Sequence, residues 1–175
     1  VFSNSSDVIH LFAQRTQDEA RCSNVFFNND RIYSYGRHYL LGEFLDGDSI
    51  MINDKGYSSI TSKHISQLIS ATRQYKQFFT TTTDNYIVKR KFKELLSKLE
   101  RAKKPDIYIG QAESIYAKYC EFWDVFRKIK KDKEIVRLYK LITNNIDLEK
   151  YKDKAKKQRE REVKKQEGLL IEKLA

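Results

Sequence analysis

Apolar residues in this chain recur first at helical spacing, then at every second position in short runs, and finally at helical spacing again. Val8, Leu11 and Phe12 follow Ser6-Asp7 on one helical face, so a short amphipathic helix is expected to run to about Arg21. From Asn24 to Ser59 the runs are Val25-Phe26-Phe27, Ile32-Tyr33-Ser34-Tyr35, Tyr39-Leu40-Leu41 to Leu45, and Ile50-Met51-Ile52. Asn28-Asn29-Asp30, Gly36, Asp46-Gly47-Asp48 and Asp54-Lys55-Gly56 separate them, all turn-favouring. These separators are shorter than the roughly dozen residues a parallel crossover needs, which predicts an antiparallel meander of three or four strands. Thr61 is placed to cap a helix whose Ile65, Leu68, Ile69, Thr72 and Tyr75 would cover one face of that sheet.

The β-branched polar run Thr80-Thr81-Thr82-Thr83, followed by Asp84 as a cap, marks a boundary between a module at 1–83 and a region at 84–175. Beyond it three stripes have helical spacing: Val88, Phe92, Leu95 and Leu99; Ile115, Tyr119, Phe122, Phe126 and Ile129; Ile135, Leu138, Tyr139 and Ile142. Pro105-Asp106 and Asn144-Asn145 are the natural breaks. Asp147 to Leu174 reads as a long, protruding helix, apolar at Leu148, Tyr151 and Ala155 and again at Leu169, Leu170 and Ile171. The expected fold class is α+β: an N-terminal helix, a small antiparallel meander and a covering helix, followed by a basic all-α C-terminal region.

Charge sharpens this division. Residues 1–83 hold 8 Lys/Arg against 8 Asp/Glu, and residues 84–175 hold 26 against 16, so the whole formal charge of +10 belongs to the helical region. Uncompensated positive charge favours phosphate polymers, anionic surfaces or acidic proteins. No apolar run approaches the roughly 18–20 residues of a membrane span, and the first residues lack a signal-peptide pattern, so a soluble intracellular protein with no membrane partner is expected. Cys22 and Cys120 are isolated from other ligand-type residues, so reduced thiols are expected, with no metal and no cofactor.

Nine cations fall within the 16 residues from Lys150 to Lys165. A second basic group, Arg127, Lys128, Lys130, Lys131 and Lys133, neighbours Tyr119, Trp123, Tyr139 and Tyr151. The expected phosphate ligands are Lys128, Lys130, Lys131, Lys154, Lys156, Lys157, Arg159 and Arg161, binding DNA or RNA or a nucleoprotein complex. Aromatics interleaved among them could stack bases or fill a core. A different reading is a solvated helix held by pairs such as Glu160 with Lys164. A third is a protein-interacting helix that self-associates through Leu148, Tyr151, Leu169, Leu170 and Leu174. The enzymatic alternative is a metal-independent ribonuclease, with His38 and His64 as general base and acid and Lys63 and Arg37 stabilising the phosphorane charge. No Gly-rich phosphate loop, His-Glu-x-x-His, Cys pair or Gly-x-Ser-x-Gly occurs.

Asn24-Val25-Phe26-Phe27, Ile32 to Tyr39 and Tyr57 to Ile65, with Ile-Tyr-Ser-Tyr-Gly-x-His and Thr-Ser-Lys-His as its marks, resemble an uncharacterised family of small proteins of bacteriophages and mobile elements. The likeness covers residues 8–79 and carries no assigned activity. What it implies is context: a phage-type accessory protein in the cytoplasm of a bacterial host, of the gene class that includes inhibitors of host defence such as CRISPR complexes.

Overall fold

The computed structural model describes residues 2–45, 47–125, 131–144, 157, 160, 161 and 163–165. The fold is α+β, and the chain divides into two compact units, Val1–Ile87 and Val88–Ala175.

In the first unit, helix α1 (Ser5–Gln14) starts after Asn4, whose side chain accepts from the Asp7 N–H, and ends at Arg15 in a left-handed conformation. It stops well short of Arg21, because Glu19–Arg21 forms an edge strand, β1. Strands β2 (Val25–Asn28), β3 (Arg31–Ser34), β4 (Leu40–Phe44) and β5 (Ser49–Ile52) follow. After helix α2 (Ser59–Ala71) comes β6 (Lys76–Phe79). The sheet therefore has six strands in the order β1-β2-β3-β4-β5-β6, antiparallel throughout except for the parallel β5–β6 pair. This corrects the three- or four-strand expectation: α2 supplies the long crossover that a parallel neighbour requires.

Alternation sorts the strands into two faces. Val25, Phe27, Ile32, Leu41, Phe44, Ile50 and Ile52 are buried with Val8, Ile9 and Phe12 of α1 and Ile65 and Leu68 of α2. Gly42 sits in a tight spot: a Cβ would stand 2.9 Å from Leu68 Cδ2 and 3.1 Å from the Met51 carbonyl, so glycine lets α2 lie close to β4 without either shifting. Gly47 supplies the turn before β5 with φ of 80°, which other residues resist. Ser58, not Thr61, caps α2 by accepting from the Thr61 N–H, and Thr61 is buried beneath it. Tyr75 lies beyond the helix and donates its hydroxyl to the Ala13 carbonyl at 2.8 Å.

The threonine run has structure of its own. Thr80–Thr83 forms a short helix, α3, latched by Asp54, whose carboxylate accepts from the Thr80 hydroxyl, the Thr81 N–H and the Thr81 hydroxyl.

Helix α4 (Asn85–Leu99) begins in the last residues of the first unit, and from Val88 on it packs with α5 (Pro105–Val125) and α6 (Lys133–Asn144) in the second. The core of the second unit joins Val88, Phe92, Leu95 and Leu99 to Ala112, Tyr119 and Trp123 and to Ile135, Leu138 and Ile142. The first stripe is buried as its spacing predicts, and so is the third except for Tyr139, which is half-buried against the core. In α5, Trp123 takes the interior position while Phe122 is half-buried; Phe126 and Ile129 lie outside the described residues. Pro105 opens α5, where its missing N–H costs nothing. Among the described residues no helix is long and apolar enough to cross a membrane.

Candidate nucleic-acid interface

One basic surface of the second unit is the face of α6 opposite its core stripe. Ile135, Leu138 and Ile142 are buried, while Lys133, Arg137 and Lys140, at i, i+4 and i+7, are exposed. The three cations line a shallow groove of about 390 Å³ with Val136, Leu141 and Asn144. None of them has a carboxylate partner among the described residues. The expected ligand set contained neither Arg137 nor Lys140, although the helical period that marks Ile135, Leu138 and Ile142 also places these cations together.

Two cations of α4 are already engaged. Lys89 Nζ lies 2.7 Å from Asp132 and 3.5 Å from Glu134, and Lys93 lies 3.4 Å from Glu134. The Asp132 and Glu134 carboxyls are held below the ordinary carboxylate range, chiefly by their hydrogen bonds from Lys89 and Lys93 respectively. Asp132 also accepts from the Glu134 N–H at 2.9 Å, capping α6, and its own N–H donates to the Tyr119 hydroxyl at 3.0 Å. This one residue holds the start of α6 against both α4 and α5, and so positions the basic face.

Of the expected phosphate ligands, Lys131 sits 3.8 Å from Asp124, an exposed and weak pairing. Lys157 and Arg161 are helical and exposed, and with Lys164 they repeat the i, i+4, i+7 spacing. Lys128, Lys130, Lys154, Lys156 and Arg159 lie outside the described residues, as do Leu148, Tyr151, Leu169, Leu170 and Leu174 of the self-association reading.

Among the described residues from 88 onward, the aromatics lie in the core or pack against it. Tyr119 is fully buried and Trp123 is 4% exposed, its indole N–H without a partner among the described residues. Tyr139 stacks on Tyr116 with centroids 3.8 Å apart. Burial, with a hydrogen bond to Cys120, pushes the Tyr116 phenol up to about 12. Partly exposed aromatic rings outside a core are found in the first unit instead.

The histidines of the ribonuclease reading occupy different environments. His64, on α2, is 3% exposed and its Nδ1 is 2.9 Å from the buried Ser34 hydroxyl. His38 is exposed in the β3–β4 connection, packed over Gly36, where a Cβ would meet its ring at 2.8 Å. Among the described residues no hydrogen bond or ring contact joins the two imidazoles, and Lys63 and Arg37 are exposed. A general acid must touch its substrate, and His64 is placed as a structural hydrogen-bonding group. Nor do three His, Cys, Asp or Glu side chains converge to hold a metal ion among the described residues.

Burial, and secondarily the Lys63 charge, hold His64 below the usual histidine range. The unfolded chain therefore takes up a proton near pH 6.5 that the folded chain resists. Stability is full above that value and falls as the pH drops below it, by less than about 1.4 kcal/mol per pH unit. Urea midpoints measured from pH 7.5 to 5.5 should show this decline, and His64→Gln should remove it; an equal decline in the variant would assign it elsewhere.

No known protein family, characterised sequence or solved structure matches the chain.

Proposed function

We propose that the protein binds nucleic acid without catalysis, through the basic surface of its helical unit. What supports this reading is the α6 face, where Lys133, Arg137 and Lys140 stand exposed with no carboxylate partner among the described residues. Along the helix the three cations span about 10 Å, while a duplex offers one phosphate per roughly 1.7 Å of axis. Contacts of this kind position a protein on a phosphate backbone and carry no base sequence. Lys157, Arg161 and Lys164 are further exposed cations of the same unit.

The proposal extends to nucleic acid held in a host nucleoprotein complex, where occupation of phosphate sites would give the inhibitory role that the phage-type resemblance implies. Pull-down from a bacterial lysate with and without nuclease treatment separates the two settings, since capture that survives nuclease is held by protein.

The direct test is the salt dependence of binding of the full chain to a labelled duplex. With roughly six phosphates neutralised, the log–log slope should be about −5, and Lys133→Gln with Arg137→Gln and Lys140→Gln should flatten it by about 2–3. Salt-independent binding, or an unaltered slope in the triple variant, would overturn the proposal.

A further inference from the structure

We infer that the first unit carries a separate surface for single-stranded nucleic acid, which it holds by its bases. This goes beyond the phosphate-binding face of α6, and it rests on different residues. On the sheet face opposite the core, Phe26 of β2 and Tyr33 of β3 are directly paired in register, with ring centroids 5.1 Å apart and planes 17° from parallel. The Arg21 guanidinium lies over Phe26 at 5.5 Å, adding a further flat, charged layer to that stack.

Beside this stack stands Tyr35. Its φ is 62°, a conformation that bulky residues disfavour, and its backbone N–H is tied to the Asn24 carbonyl at 2.8 Å. Strain of this kind is concentrated at functional positions. Tyr35 is 51% exposed, its ring centroid 6.2 Å from that of His64, so about half of the residue is open to a ligand. Arg21, Asn24, Phe26, Tyr35 and Arg37 line one groove of about 660 Å³, in which Glu19 is the single carboxylate. Arg37 also lines the adjoining groove of about 470 Å³ that contains Tyr33. Neither Arg21 nor Arg37 has a carboxylate partner among the described residues, so each is available to a phosphate.

Rings beside unpaired guanidiniums and an amide fit a strand with unstacked bases. Bases would stack on Tyr35 and on the Arg21 plane, phosphates would meet Arg21 and Arg37, and Asn24 would face base edges. A duplex keeps its base faces stacked within itself and offers these rings nothing.

Fluorescence anisotropy on the full chain with a short labelled oligothymidylate tests this. Tyr35→Gly removes the ring at a position where glycine takes the observed φ freely, so folding should persist by circular dichroism while affinity falls roughly 5- to 150-fold. Arg37→Gln should flatten the single-strand salt slope by about 0.7. With the unaltered protein, an abasic strand of equal length should bind weaker than oligothymidylate by at least the factor seen for Tyr35→Gly. Equal binding of abasic and base-bearing strands, or unchanged affinity in folded Tyr35→Gly, would overturn the inference. The preference for bases should survive in the Lys133, Arg137 and Lys140 triple variant; its loss there would place stacking in the second unit. An unaltered salt slope in the triple variant would sink the α6 reading and leave this one standing.

Discussion

Phe12→Ala is expected to lower the unfolding free energy of the first unit by about 3–5 kcal/mol. Phe12 is 1% exposed, and its ring centroid lies 5.4 Å from that of Phe27 and 4.8 Å from that of Phe44. Phe44 in turn meets Tyr75 edge-on at 4.8 Å, so the ring of α1 sits at the centre of an aromatic cluster joining helix, sheet and the segment after α2. Truncation loses transfer free energy and leaves a cavity that these stiff neighbours cannot close. For a domain of ordinary stability, about 5–15 kcal/mol, this is a large share. Urea unfolding followed by far-UV circular dichroism should show it. Phe12→Leu, which keeps most of the volume, should cost less than about 1.5 kcal/mol. A loss below about 1 kcal/mol for the alanine variant would contradict the packing of α1 on the sheet.

Asp132→Ala has the next largest effect expected, because one carboxylate performs two tasks at the start of α6. Loss of its cap on the Glu134 N–H alone should cost about 0.5–2 kcal/mol, and loss of the 2.7 Å pair with Lys89 adds to this. Asp132→Asn separates the two, since asparagine can still cap a helix but carries no charge. The sign with pH follows from the depressed carboxyl, lowered first by Lys89 and also by the N–H groups of Glu134 and Ile135. A folded value below the unfolded one, about 3.9, means that this stabilisation is present at neutral pH and is lost as pH falls below about 4. Wild type should weaken there, and Asp132→Asn should lack that share of the decline. Trp123, the single tryptophan and buried in this unit, reports the transition by fluorescence. Because α6 presents Lys133, Arg137 and Lys140, fraying of its first turn should also weaken duplex binding.

Elements with local signals were legible. The stripes at Val88–Leu99 and Ile135–Ile142 bury, Tyr139 by half, as helical spacing requires, since a helix carries its period in its own residues. Strands β2 to β5 coincide with the alternating runs between turn residues. Strand β1, Glu19-Ala20-Arg21, has one inward residue and two solvated ones, too little for alternation to register. Strand β6, Lys76-Gln77-Phe78-Phe79, does not alternate by residue type and exists because α2 returns the chain beside β5. Thr80–Thr83 is helical because Asp54, 26 residues away, accepts its hydroxyl and N–H groups.

The candidate surfaces divide in the same way. Lys133, Arg137 and Lys140 share a face by helical period alone, so that site was readable from the chain. Tyr119 and Trp123 could have been core or stacking groups by spacing, and only burial assigned them to the core. The pairing of Phe26 with Tyr33 depends on strand register, and the left-handed turn that exposes Tyr35 depends on the Asn24 carbonyl across the hairpin.

Composition and period by themselves determined an α+β module followed by basic helices, and where the excess charge lies. The tertiary structure decided which cations remain unpaired, which aromatics stay partly exposed, and that His64 is bonded to Ser34 beneath the surface. Charge and periodicity belong to single residues and near neighbours along the chain. Pairing and burial are settled between residues far apart in it, and they exist only after the chain has closed on itself.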